Sequence, residues 1–141
     1  MNHNKIFEYE VLIRESHLDT FGHVNNAVYV QLYEEARWDF ITKNGFGLEV
    51  IQKSQKGPVL LDLKVSFRRE IKVRETVKIV SQTLKLVNSK IMVLEQKMIN
   101  AQGKIASEAT FTVGFFDMKE RKLIEAGPEW LKAVGYVSEN S

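Results

Sequence analysis

Asp19, His23, Asn25 and Asn26 fall within the stretch DTFGHVNNAVY, at residues 19–29. An ionised carboxylate at Asp19 can act as a nucleophile or as a general base. His23 can donate a hydrogen bond or orient a water. An asparagine at a helix start caps one unpaired amide, and the remaining amides and the helix dipole favour developing negative charge. A carboxylate beside such a helix start therefore suits attack on a carbonyl, and one oxyanion donor is worth about 3 kcal/mol in the transition state. The same residues carry a plainer reading. Asp19 accepts in an Asx-turn, His23 braces the turn, and Asn25 and Asn26 only cap. Spacing alone leaves both readings open. His17, Asp19 and His23 lie across a strand end and a turn with no fourth partner nearby, which is too few for a metal centre.

The elements around this stretch must hold it. Residues 6–15, IFEYEVLIRE, read as a strand. From Asn26 to Asn44, Val28, Leu32, Ala36 and Phe40 recur every four residues, and Tyr29, Tyr33 and Ile41 widen the apolar face. That pattern predicts a long, largely enclosed helix, capped by Asn25 or Asn26 and ended by Gly45 and Gly47. Residues 51–58, IQKSQKGP, read as a polar loop. After Pro58, Val59, Leu61, Leu63, Val65 and Phe67 alternate with Leu60, Asp62, Lys64, Ser66 and Arg68, the clearest strand pattern in the chain. Residues 75–87 form a second run whose apolar parity changes, which predicts a bulge at Ser81 to Thr83. After a turn at 88–90, a third run spans 90–100. A turn at Gly103 leads to a last run over 104–117, with Ile105, Ser107, Ala109, Phe111, Val113 and Phe115 on one face. A polar turn follows at 118–121. Pro128 opens a short helix, and residues 136–141 read as a frayed tail on a single domain spanning 1–141. One buried helix against four consecutive antiparallel strands is an α+β layer architecture.

Composition narrows the function classes. The chain has 141 residues, 44% hydrophobic and 27% charged, with a formal net charge of +2. That charge is too small to point to nucleic acid. The absence of cysteine excludes a disulfide framework, a thiolate nucleophile and cysteine-rich zinc sites. No stretch has the length of a membrane span, and MNHNKIFEYEV has no apolar signal core, so the expected location is the cytoplasm, with no membrane partner. Arg68, Arg69, Lys90 and the KERK run at 119–122 are candidates for an anionic ligand, against the plainer reading of a solvated basic edge. Glu34 and Arg37, three apart on the helix, allow a surface ion pair of little weight. The tyrosines and Trp38 read as core or subunit contacts.

The order of elements, together with DTFGHVNNAVYVQLYEEAR at residues 19–37, resembles the hotdog-fold thioesterases. The likeness is greatest to the 4-hydroxybenzoyl-CoA thioesterase type of acyl-CoA thioesterase, and it runs from about residue 6 to residue 117. Its specific part is Asp19, the Gly22 turn, HVNN, and then Tyr29, Glu34, Glu35, Ala36 and Arg37 in order. The resemblance implies a hotdog fold, with a long central helix wrapped by a curved antiparallel sheet. It implies hydrolysis of an acyl-CoA thioester to free acid and CoA, without a cofactor, at the interface of a homodimer or a dimer of dimers. Asp19 would be nucleophile or general base, the Asn26 amide would polarise the carbonyl, and His23 would assist. The acyl group would lie between the helix and the Val59–Phe67 strand of the other subunit, touching Val59 and Leu61. Lys90 would be the first choice for the CoA phosphates, with Arg68 another. The chain departs from related patterns at two places: Phe21 stands where plant acyl-carrier-protein thioesterases have asparagine, and His17 where many relatives have an acid. An acyl-carrier-protein thioesterase and a non-catalytic acyl- or CoA-binding module remain the alternatives. The Asp-x-Asn-Pro-x-His motif of hotdog hydratases is missing.

Overall fold

In the computed structural model, residues 2–138 are described. Strand β1 (Ile6–Leu12) leads through a short 3-10 turn (Glu15–His17) to helix α1 (Asn26–Lys43). Helix α2 (Leu48–Ser54) follows, then β2 (Lys56–Phe67), β3 (Thr76–Leu86), β4 (Ile91–Ile99) and β5 (Ile105–Asp117). The two-residue β6 (Lys122–Leu123) and helix α3 (Pro128–Ala133) complete the chain. The strands form one antiparallel sheet in the order β1-β3-β4-β5-β2, with β6 beside β5. Strands β1 and β2 are therefore the edges.

Helix α1 buries Tyr29, Leu32, Tyr33, Ala36, Phe40 and Ile41. Tyr33 meets Phe111 edge-on at 5.7 Å and Phe40 stacks on Phe7 at 4.5 Å, so the helix is fixed to the inner face of the sheet at both its middle and its end. The enclosed residues also form a polar chain. Gln96, fully buried, donates to the Tyr33 carbonyl at 3.1 Å and to Ser81 Oγ at 2.9 Å, and accepts from Arg37 at 3.0 Å. The Tyr33 hydroxyl bonds Ser107 Oγ at 2.8 Å. Thr83 Oγ1 donates to the Val134 carbonyl at 2.8 Å, so each buried polar side chain among the described residues has a partner, as burial requires.

Three bulges curl the sheet, since each adds twist. One lies at Leu84, between the pairs Thr83 with Leu94 and Lys85 with Val93, next to the position expected from the parity change. A second leaves Ala106 unpaired between Ile105 and Ser107. The third corrects the reading of β2. Leu60 pairs with Val113 and Asp62 with Thr112, which leaves Leu61 as the extra residue. The unbroken alternation in the sequence hides this shift of face. Val59 lies opposite Gly114, and a Cβ at Gly114 would meet Leu123, Leu61 and Val59. Val59 and Leu61 therefore lie on the outer side with Leu123. The side chains turned towards the core are Pro58, Leu60, Leu63, Val65 and Phe67, opposite Phe115, Val113, Phe111, Ala109 and Ser107.

The segment expected as a loop at 51–58 is mostly helix α2 followed by the start of β2. The polar residues of α2 face outward, and Ile51 is the one residue of that helix that is buried. One anchoring side chain leaves almost no periodic signal. At the C-terminal end, the Val137 amide donates to Asn4 Oδ1 at 2.7 Å, and Tyr136 is partly buried against the core. These two residues of the expected frayed tail are held, whereas 139–141 lie outside the described residues.

Candidate active site

Residues 17–25 fold into a closed turn ahead of α1. Leu18 bridges Val24, the Asp19 amide donates to the His23 carbonyl at 2.8 Å, and the Asn25 amide donates to the His17 carbonyl at 3.0 Å. Gly22, with φ at 80°, makes the left-handed corner. Inside the turn, Asp19 Oδ1 accepts from the amides of Phe21 at 2.9 Å and His23 at 3.2 Å. Asp19 therefore does form the Asx-turn. Only one of its oxygens is used, and Oδ2 accepts no hydrogen bond from the described residues.

The turn delivers the chain to α1 with its first amides open. Asn25 is the cap, and its Oδ1 accepts from the Ala27 amide at 2.9 Å. The Asn26 amide has no partner among the described residues. Beside it lies an open cleft of about 290 Å³, lined by His23, Val24, Asn26, Tyr29, Phe67, Arg68, Arg69, Glu70 and Ile71. Tyr29 and Phe67 meet edge-on at 4.9 Å. Burial, followed by the nearby charges of Glu70 and Glu75, raises the Tyr29 hydroxyl pKa above the usual tyrosine value. Tyr29 is thus a neutral wall of the cleft.

Glu70 was not singled out from the sequence, and it is the main addition to the site. His23 Nε2 lies 2.6 Å from Glu70 Oε1, and both side chains are about half exposed. The pair places a carboxylate-braced imidazole on the cleft beside the Asn26 amide. The one sequence signal was an acid straight after the strongest strand, in RRE, where the two arginines drew attention instead.

The remaining candidates sort by position. Asp19, in the turn that leads into α1, is not among the residues that line the cleft. Arg68 lines the cleft, but its guanidinium is committed to Glu108 through two bonds of 2.6 and 2.9 Å. Arg69 lines it too and donates to the Ile105 carbonyl at 3.1 Å. Lys90 lies at the other end of the sheet. Its carbonyl accepts from Phe115, which pairs with Pro58, so about 30 Å of β2 separates it from Phe67 at roughly 3.3 Å per residue. The KERK turn at 119–122 is at that same far end, closed by Asp117 Oδ1 on the amides of Lys119 and Glu120. Val59 and Leu61 face away from α1, as described above. His17 Nδ1 accepts from the Arg14 amide at 2.9 Å. Arg37 does not pair with Glu34: it turns inward to Gln96 and lies over the Phe111 ring at 4.3 Å. Glu35 accepts from the Tyr9 hydroxyl at 2.7 Å, tying α1 to β1.

One long helix held in a curled antiparallel sheet, with its start opening on a cleft, is the hotdog architecture. Comparison with known proteins agrees. The thioesterase-like superfamily matches residues 13–134, so the chain belongs to that superfamily and is a thioester hydrolase. The chain is 29% identical over 116 residues to the long-chain acyl-CoA thioesterase FadM of Escherichia coli K12, a match covering 82% of this chain and 86% of that protein. The structure of the probable thioesterase YbaW from Escherichia coli superposes with a TM-score of 0.78 at 27% identity, covering 91% of this chain and 96% of that one. A Staphylococcus aureus protein solved in complex with CoA shares the fold, with a TM-score of 0.86 at 12% identity over 98% of this chain and 89% of its own. Among the described residues, no helix is long and apolar enough to cross a membrane.

Proposed function

We propose that the protein hydrolyses acyl-CoA thioesters to free acid and CoA. The observation that carries this reading is the Asn26 amide, unpartnered among the described residues, at the start of the 18-residue helix α1, opening on a cleft braced by His23 and Glu70. The amide, backed by the helix dipole, donates to the thioester oxygen and stabilises the negative charge that develops there. As general base, Asp19 takes a proton from water through Oδ2. The water oxygen bonds to the acyl carbon, the C–S bond breaks, and CoA leaves as a thiolate that then gains a proton. As nucleophile, Asp19 Oδ2 would bond to the acyl carbon as the C–S bond breaks and CoA leaves as a thiolate that gains a proton, and water would then cleave the mixed anhydride to free acid and the Asp19 carboxylate. His23, oriented by Glu70, positions the water or the carbonyl. The 29% identity to an acyl-CoA thioesterase and the fold shared with a CoA-bound protein support CoA as the carrier.

A second copy of the chain completes the site in this reading. β2 is an edge strand on which Leu60, Leu61, Leu63 and Phe67 are all between 40% and 51% exposed. A long apolar edge of this kind calls for a partner. Antiparallel pairing of two β2 edges would bring the far end of one sheet, with Lys90 and the 119–122 turn, towards the cleft of the other. Lys90 would then meet the CoA phosphates of the neighbouring site. We place this homodimer, or a dimer of dimers, in the cytoplasm.

Thiol release from CoA esters and from the same acyl groups on acyl carrier protein tests the reading, with sedimentation for the assembly. Turnover of CoA esters by a dimer is the expected result. Saturable binding of acyl-CoA without turnover would favour a non-catalytic module, and a fully active monomer would refute the shared site.

A further inference from the structure

A second cavity of about 130 Å³ lies under the far half of α1, beyond the cleft. Its walls are mostly apolar and include Trp38, Ile41, Leu60, Val113 and Trp130. Arg37 also lines it. The Arg37 guanidinium is partly buried, stacked on Phe111, and held by one hydrogen bond to Gln96. No carboxylate forms an ion pair with it among the described residues. A guanidinium has five N–H donors, so Arg37 has donors to spare in a mostly apolar chamber.

The cavity and the cleft share one helix and one strand. Asn26 and Tyr29 of α1 stand near Phe67 of β2 at the cleft, and Arg37, Trp38 and Ile41 stand near Pro58 and Leu60 at the cavity. Between them the core-facing side of β2 presents Leu63 and Val65, with Leu63 40% exposed. Asn26 and Arg37 are 11 residues apart on one helix, which is about 17 Å along its axis. An extended acyl chain of roughly a dozen carbons spans that length at ordinary C–C bond distances.

Resting on the thioesterase reading, we propose that this cavity receives the far end of the acyl chain and that Arg37 selects chains carrying an oxygen there, a terminal hydroxyl or oxo group. A methyl end would leave the donors of Arg37 without an acceptor, whereas an oxygen supplies one. Glu34 lines the same cavity and repels a terminal carboxylate, so the favoured group is neutral.

The test compares kcat/KM for dodecanoyl-CoA, its ω-hydroxy derivative and the ω-carboxy derivative. Wild type should favour the hydroxy ester over the plain ester by roughly tenfold or more, the lower end of what a hydrogen bond to a charged group contributes, and should not favour the carboxy ester. Arg37→Met should remove the preference and Arg37→Lys should restore part of it. Leu60→Trp, which fills the cavity from the facing strand and keeps the Arg37 side chain, should also remove it. Equal kcat/KM for hydroxy and plain esters in wild type would overturn the inference while leaving the thioesterase reading intact, as would a preference that survives both Arg37→Met and Leu60→Trp. No turnover of any of the three esters would overturn the inference, and the thioesterase reading would fall with it only if short and aromatic CoA esters were not turned over either.

Discussion

Gln96→Leu tests the polar chain that ties α1 to the sheet. Leucine nearly matches glutamine in size, so the substitution removes hydrogen bonds without opening a large cavity. Three bonds are lost: to the Tyr33 carbonyl, to Ser81 Oγ and from Arg37. Of these the Arg37 contact weighs most, because hydrogen bonds to charged groups contribute about 1.5–3 kcal/mol. Burial also holds the Arg37 pKa below its usual value, so this cation already bears a desolvation cost that Gln96 partly offsets. The orphaned Ser81 hydroxyl adds about 1 kcal/mol. The apolar surface of the new leucine returns about 1 kcal/mol. The net expected loss is about 2 kcal/mol, or roughly 6 °C in Tm for a chain of this length. Urea unfolding and a thermal scan measure it, at matched protein concentration because association adds apparent stability. A loss below about 1 kcal/mol, or a gain, would refute the view that this buried network carries stability.

Glu70→Gln keeps the shape of the side chain but removes the charge beside His23, and kcat should fall roughly 10- to 100-fold with KM little changed; an unaltered kcat would remove Glu70 from the site. Lys90→Ala should raise KM for CoA esters several-fold and leave kcat near wild type, as expected for a residue that meets only the nucleotide phosphates; an unchanged KM would argue that the far-end basic residues are a solvated edge. The Tyr9 hydroxyl pKa is raised from 10.0 to about 12, chiefly by its hydrogen bond to Glu35. A raised folded-state value contributes stability that is fully present below pH 10 and declines as pH rises towards 12. Tyr9→Phe should therefore flatten the fall in stability across that window, and unfolding curves at pH 9, 10 and 11 would show whether it does.

Much of this arrangement was legible in the sequence. The α1 face shows in the four-residue recurrence from Val28 to Phe40, and Asn25 caps the helix through a local bond that its residue type announces. The Asx-turn and catalytic readings of Asp19 were posed as rivals, yet a carboxylate has two oxygens, and the turn uses one. The errors have physical causes. The alternation in β2 continues through a bulge, because Leu60 and Leu61 are both apolar and the pattern does not register which one is extra; Val59 and Leu61 were assigned to the wrong face for that reason. Helix α2 buries one residue and so has almost no period. Glu70 reaches His23 across 47 positions of chain, a contact made by the return of β2 and invisible to local spacing. Arg37 turned inward because Gln96, on β4, offered it a buried acceptor.

The central claim is that this fold and site hydrolyse a thioester with Asp19 in the attack. The most direct measurement is thiol release from short, long and aromatic acyl-CoA esters, with wild type beside an Asp19→Asn variant shown to be folded by its unfolding curve. Asparagine retains the side-chain oxygen that the turn amides need and loses the basic carboxylate. Turnover by wild type on at least one ester, reduced by two orders of magnitude or more in the variant, is the predicted result. Turnover that survives the substitution would contradict the role of Asp19, and no turnover on any CoA ester would contradict the proposed reaction.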